Sequence, residues 1–188
     1  MTQPITEPFR WTTRDLELLP DNGDRYEIID GELFVTRAPH WKHQKASGRI
    51  YIALDIWSQA TQLGETVPAP GVIFSDADNV IPDVAWASRE RLALLLDDAG
   101  HLTAAPELIV EVLSSGATNQ RRDRDLKLRL YSARGVREYW IIDWEAQQVE
   151  VYRREGAALR LVATLFSQDE LTSPMLPDFS FLIARLFS

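Results

Sequence analysis

Cysteine is absent from the 188 residues. Disulfides and thiolate metal sites are therefore excluded, and a bound metal must use oxygen ligands or the three histidines His40, His43 and His101. That set favours a hard cation such as Mg²⁺. Long apolar runs are also missing. None approaches the roughly 18 residues needed to span a bilayer, and the opening stretch MTQPITEPFRW has no basic segment followed by an apolar one. The expectation is a cytoplasmic chain without a membrane partner. No Gly/Ser-rich or Pro-rich linker, internal repeat or low-complexity segment interrupts it. The expected organisation is one domain over 1–188, with an N-terminal extension 1–24, a core of about 25–165 and a C-terminal segment 166–188.

Positive charge is scarce: 20 Lys and Arg against 28 Asp and Glu leave a net −8. Binding nucleic acid takes clustered Lys and Arg, and one stretch supplies them. From Arg121 to Arg137 seven basic residues face only Asp123 and Asp125, so this segment carries +5 and the remainder −13. The asymmetry permits a local surface for an anionic substrate, although a solvated helix face gives the same count.

Strand chemistry first appears at Arg25 to Ile29, followed by Asp30-Gly31 and Glu32 to Thr36, which predicts a tight hairpin. Ile50, Leu54, Ile56, Trp57 and Ala60 recur at helical spacing and predict a helix from about Trp41 to Leu63, with Gly64 as its stop. A second hairpin is expected from Gly71–Phe74 and Val80–Trp86, then a short helix at Arg89 to Leu96. Glu107 to Leu113 (ELIVEVL) is apolar on both faces and belongs at the centre of a sheet. Thr118 or Asn119 is placed to cap a helix that runs to about Ala133 and ends at Gly135. Glu138–Asp143 with Gln148–Arg153 gives another hairpin, and Leu159–Leu165 a further strand. The order predicts an α/β (α+β) fold, a mixed central sheet flanked by helices.

Two acids stand out against their surroundings. In Ile81-Pro82-Asp83-Val84 a carboxylate lies among apolar residues, directly after a proline that cannot donate to a sheet ladder. In Leu108-Ile109-Val110-Glu111-Val112-Leu113 the glutamate occupies a run otherwise suited to burial. A buried carboxylate needs a metal, a cation or hydrogen-bond donors. Carboxylates on adjacent strands can hold Mg²⁺ with water positions left over, as phosphodiester hydrolysis requires. A lysine nearby adds charge stabilisation, and the candidate is Lys127, beside a buried stripe expected at Leu126, Leu130 and Ala133. At helical spacing its neighbours are Asp123 and Tyr131, which either orient its ammonium group or form a surface pair with it.

Plain alternatives exist for each. Asp83 suits a turn or strand end, Glu111 suits an ion pair with an arginine of the next helix, and most helix lysines are solvated. A histidine such as His43 is ordinarily a surface helix residue, and Tyr139 and Trp140, in a strand, are expected to pack in the core rather than to stack on bases.

The ordered set Tyr26-Glu27-Ile28-Ile29-Asp30-Gly31-Glu32-Leu33, Pro82-Asp83-Val84, Glu111-Val112-Leu113-Ser114, Arg122-Asp123-Arg124, Lys127-Leu128, Tyr131, Gly135-Val136 and Glu138-Tyr139-Trp140 resembles the Uma family of restriction-endonuclease-like proteins, a branch of the PD-(D/E)XK nuclease superfamily. The likeness covers about Tyr26 to Tyr152. It implies a restriction-endonuclease-like core and a Mg²⁺- or Mn²⁺-dependent endonuclease, with DNA as the expected substrate. Asp83 and Glu111 would bind metal and Lys127 would support the transition state. Glu32, His43 and Gln44 resemble the family's additional polar site residues. The lysine that the superfamily places two residues after the second acid is Leu113 here, so the role falls to Lys127 on the following helix. The basic helix residues Arg121, Arg122 and Arg124 are expected to contact phosphate. The alternative is an inactive nuclease-fold module that serves as a nucleic-acid-binding or assembly scaffold. The apolar segment Phe179 to Phe187 is expected to cover the core edge or to form a homodimer contact.

Overall fold

The computed structural model describes residues 9–188, except the side chains of residues 117 and 118. Most of the opening stretch MTQPITEPFRW, read above for a leader, therefore lies outside the described residues, as does the Thr118 side chain proposed as a cap.

The first hairpin forms where the Asp-Gly pair predicts it. β1 (Arg25–Ile29) pairs antiparallel with β2 (Glu32–Thr36), with Ile29 opposite Glu32. Asp30 (φ 50) and Gly31 (φ 74) supply the two positive angles of the connecting turn, which matches strand twist. α1 (Trp41–Thr61) follows and ends two residues earlier than Gly64 would impose, because Gln62 itself takes the left-handed conformation at φ 58. Gly64 has a different job. It opens β3 (Gly64–Pro68), a strand absent from the sequence expectation, and a Cβ there would run into the Ala87 carbonyl oxygen and the Trp86 indole.

The expected hairpin of Gly71–Phe74 with Val80–Trp86 is corrected. β4 (Val72–Ser75) pairs with β5 (Asp78–Val80), but the chain then leaves that sheet, and β6 (Val84–Ser88) joins another. Ile81-Pro82-Asp83 is the crossing point, since Pro82 has no N–H with which to continue the ladder. α2 (Arg89–Leu95) leads on to β7 (Leu108–Val112). The helical stretch after it comprises α3 (Ala117–Arg121), a π-helical turn (Arg122–Lys127) and α4 (Leu128–Arg134), stopped at Gly135 with φ 90. Because α3 starts at Ala117, Thr118 and Asn119 lie inside its first turn rather than ahead of it. β8 (Glu138–Asp143), β9 (Gln148–Glu155) and β10 (Ala158–Leu165) complete the central sheet. The C-terminal segment forms a hairpin of β11 (Glu170–Ser173) and β12 (Leu176–Leu182), capped by the turn α5 (Ala184–Phe187).

The six-stranded sheet runs β10-β9-β8-β7-β6-β3, mixed because β7 and β8 are parallel and the other pairs antiparallel. A four-stranded sheet runs β2-β1-β5-β4. Side-chain alternation divides β7 and β8 between two cores. Leu108, Val110, Val112, Trp140 and Ile142 face α1 and the C-terminal hairpin, while Ile109, Leu113, Tyr139 and Ile141 face α4 and the second sheet. Tyr139 and Trp140 are thus core residues, as their strand position suggests. Phe179, Phe181, Ile183 and Leu186 are buried against the first core, so much of the apolar C-terminal segment covers the sheet.

Candidate active site

β7 offers Glu111 to the face under the helical stretch, and the β6–β7 register pairs Val84 with Val110. Continued by one residue, that register sets Asp83 across from Glu111. Asp83 Oδ2 accepts the Val112 backbone N–H at 2.8 Å, which fixes the acid to the neighbouring strand. From the other sheet, Arg25 donates to Asp83 Oδ1 at 3.0 Å, and Glu27 Oε1 accepts the Ile81 N–H at 2.9 Å. The crossing at Pro82 is therefore stitched on both sides by ionised groups of β1.

Lys127 is about as deeply buried as any side chain in the protein, at 1% exposure. Its Nζ lies 2.8 Å from Glu111 Oε1, 2.9 Å from Glu27 Oε1 and 3.9 Å from Asp123 Oδ1. The stripe expected at Leu126, Leu130 and Ala133 is rotated. Lys127, Leu130 and Tyr131 face inward, while Ala133 is exposed and Leu126 half-buried. The wider π turn accounts for this, since it adds a residue to the hydrogen-bonded ring and turns Arg122, Asp123 and Lys127 toward the sheet. Tyr131 donates its hydroxyl to Glu111 Oε1 at 2.8 Å, so both helical neighbours of Lys127 are interior groups.

His43, near the start of α1, is buried rather than at the surface. Its Nε2 stands 3.4 Å from Asp83 Oδ2, and its Nδ1 finds no hydrogen-bond partner among the described residues. The carboxylate of Asp83 explains the position, because a buried acid recruits donors from every element around it.

Arg25, Glu27, His43, Asp83, Glu111 and Lys127 line one cavity of about 200 Å³, together with Gln44, Thr36, Arg37 and Arg122. Glu32, in contrast, is exposed beside the hairpin turn, and the acid of β1 that turns inward is Glu27. Glu27 carries a legible signal, a charged residue among strand apolars, the same oddity that marks Glu111. Arg25 shares its face by alternation. The three arginines do not form one basic face. Arg121 points outward beside Asp125, and Arg124 is held by Asp143 and Glu150 at 3.0 and 2.9 Å. Only Arg122 reaches the cavity, where it pairs with Asp123 at 3.2 Å and approaches Glu27 at 3.9 Å.

Burial would raise the pKa of Asp83, but the hydrogen bond and charge of His43, the charge of Arg25 and the Val112 N–H outweigh it and hold the acid well below the usual range. Burial likewise lowers His43, yet the bond to Asp83 leaves it raised. Burial pushes Glu111 up. The Lys127 ammonium opposes this, but the charges of Asp83, Asp123 and Glu27 add to it, and Glu111 reaches about 8. The partners of Lys127 therefore differ. Glu27 is held below its ordinary value, since Lys127 and Arg122 outweigh its burial, and it stays ionised beside a lysine whose own pKa is raised by the surrounding acids despite burial. Four acids (Glu27, Asp83, Glu111, Asp123) meet three fixed cations (Arg25, Arg122, Lys127), and the excess of acid is relieved by a proton held at Glu111.

Lys127 and Tyr131 both donate to Glu111 Oε1, which leaves Oε2 open to a cation that replaces the proton. Among the described residues no three His, Asp or Glu side chains converge as a complete cage. A hard cation here would take the carboxylates of Asp83 and Glu111 and complete its shell with water, in the manner of Mg²⁺. The donor set fits the ion.

No helix among the described residues is long and apolar enough to cross a membrane. No curated protein matches the chain in sequence. Its fold is similar to a crystal structure from Anabaena variabilis described as "a putative nuclease belonging to DUF820", at a TM-score of 0.73 and 19% identity over 94% of this chain and 97% of that one. The model of the Uma2 family, described as "Putative restriction endonuclease", matches residues 13–184. That span takes in both sheets, the π turn and every residue of the cavity, and the chain belongs to the Uma2 family.

Proposed function

We propose that this protein is a divalent-metal-dependent endonuclease that hydrolyses phosphodiester bonds, with DNA as substrate and Mg²⁺ or Mn²⁺ as its ion. The observation that carries the reading is the convergence of Asp83, Glu111 and Lys127 on one polar cavity, with Glu111 holding a proton that a cation can replace.

A cation held by Asp83 and Glu111 would supply charge stabilisation for the phosphate and acidify an attacking water. To hold such an ion Glu111 would give up its proton. Lys127 remains charged and keeps a compact positive group at the base of the cavity, where negative charge develops on the transferring phosphate. Arg25 and Arg122 add positive charge at the cavity walls, and Asp123 and Glu27 fix the direction of the lysine. His43 Nδ1, buried and without a partner, is available to a phosphate oxygen. Leu113, where the superfamily pattern has lysine, packs in the apolar core, and Lys127 reaches Glu111 from the helix instead.

The test is cleavage of DNA and RNA panels with Mg²⁺ or Mn²⁺, compared with EDTA. Cleavage should require the ion and be lost in Asp83→Ala and Glu111→Ala. Cleavage that survives both substitutions removes the site assignment. Nucleic-acid binding that ignores EDTA and Asp83→Ala, with no cleavage under any condition, selects the scaffold reading.

A further inference from the structure

The first turn of α1 does more than deliver His43. His40 caps that helix, its Nδ1 accepting the Lys42 N–H at 3.1 Å, and its ring stacks face to face on Trp144 with centroids 4.6 Å apart and planes within 3°. Trp144 is itself anchored, its indole N–H donating to the Leu113 carbonyl at 2.9 Å, and the Lys42 ammonium lies 5.7 Å from its ring centroid. Beside them Trp41 is 80% exposed, which leaves a large aromatic face in water with no partner among the described residues' aromatic pairs. Trp41, Lys42, Lys45 and Trp144 line a second cavity of about 200 Å³ that has no acid in its wall, in a chain of net charge −8.

The start of α1 links this cavity to the active-site groove. His40 and His43 line the groove that leads out of the Asp83–Glu111 cavity, while the stacked partner of His40 lines the second cavity. Exposed rings beside lysines suit a nucleobase with its attached phosphate, because every base has a face to stack and every nucleotide a charge to neutralise. A base paired inside a duplex has no free face to offer.

We infer that Trp41, supported by the His40–Trp144 stack and by Lys42 and Lys45, is a stacking platform for an unpaired nucleobase of the strand whose phosphate enters the Asp83–Glu111 cavity. The substrate class that follows is a single-stranded or locally unpaired nucleic acid, an inference that rests on the phosphodiesterase reading of the cavity.

The experiment measures binding, without catalysis, of labelled oligo-dU, oligo-rU and a DNA duplex of equal length by anisotropy in EDTA. The expected result is tighter binding of a single strand than of duplex, quenching of tryptophan fluorescence on binding, and a loss of about tenfold in single-strand affinity for Trp41→Ala. Trp41→Phe should retain most of the affinity, and duplex binding should be unchanged in both variants. Lys45→Ala should weaken single-strand binding and flatten its salt dependence. The dU and rU arms, which differ only at the 2′ position, identify the sugar. Single-strand affinity unchanged in Trp41→Ala, or lowered equally for duplex, overturns the platform. Because no step depends on cleavage, the two failures are distinguishable: a platform that binds as expected in a protein that never cuts remains a single-strand binding site, while its place in a nuclease's substrate path falls with the nuclease reading.

Discussion

Lys127 Nζ stands 2.8 Å from Glu111 Oε1, two groups 16 residues apart that meet only because a π turn rotates the lysine onto the central strand. Removing the lysine leaves Glu27, Glu111 and Asp123 in a buried space without their common cation. Lys127→Ala should lower stability by about 3–5 kcal/mol, the usual cost of breaking one side of a buried pair, read from the urea midpoint. Lys127→Arg keeps charge but not the compact three-donor geometry, so it should recover stability in part and turnover very little.

Glu111→Gln separates stability from chemistry. In the folded protein Glu111 titrates at about 8 rather than at its ordinary 4.5, so between these values the native state holds a proton that the unfolded chain has released. Stability from this group therefore falls as pH rises from about 4.5 to 8. Glutamine copies the neutral form. The variant should be at least as stable as the parent at pH 8, with a flatter pH profile across that window, and should lose metal-dependent cleavage. A profile as steep as the parent's would show that the proton is not held at Glu111.

Asp78 ties the second sheet to the helix that carries Lys127. It accepts from the Asp30 N–H at 2.9 Å and from Arg134 at 2.6 Å. Burial works against its ionisation, but these bonds and Ser75 hold its pKa below 3.8. Its contribution is present above that value and lost as pH falls through the lower folded one. Asp78→Asn can keep the Asp30 bond while losing the ion pair with Arg134, so it should cost about 1 kcal/mol at neutral pH and progressively less as the pH falls below 3.8. Paired urea titrations at pH 7 and pH 3 check this.

Much of this architecture is legible in the residues, for identifiable reasons. The Asp30-Gly31 turn announces the first hairpin, and a glutamate in ELIVEVL marks both the central strand and a buried acid. Asp83 is legible because a carboxylate follows a strand-breaking proline. What escapes depends on relations that local pattern does not encode. A period of 3.6 cannot reveal the π turn, so it places Lys127 at a margin when it is interior. Continuity of apolar character from Val80 to Trp86 hides a change of sheet at Pro82. His43 looks like any polar helix residue until Asp83 is set opposite it, and the basic run from Arg121 looks like one face until Arg122 and Arg124 are seen committed to different acids.

The bond between Asp83 and His43 gives the most local test of the site. With Asp83 ionised, His43 titrates above its ordinary 6.5 despite burial. The stability this pair supplies is complete below 6.5 and fades as pH rises through the folded value. Asp83→Asn removes the charge but not the burial, and it leaves the Arg25 guanidinium unopposed nearby, which repels a second cation. The His43 ring should then titrate below 6.5, a reversal of sign that NMR of the imidazole resonances resolves against His40 and His101. If His43 titrates above 6.5 in the variant as well, the acid that holds it is not Asp83, and the geometry drawn for this end of the cavity is wrong.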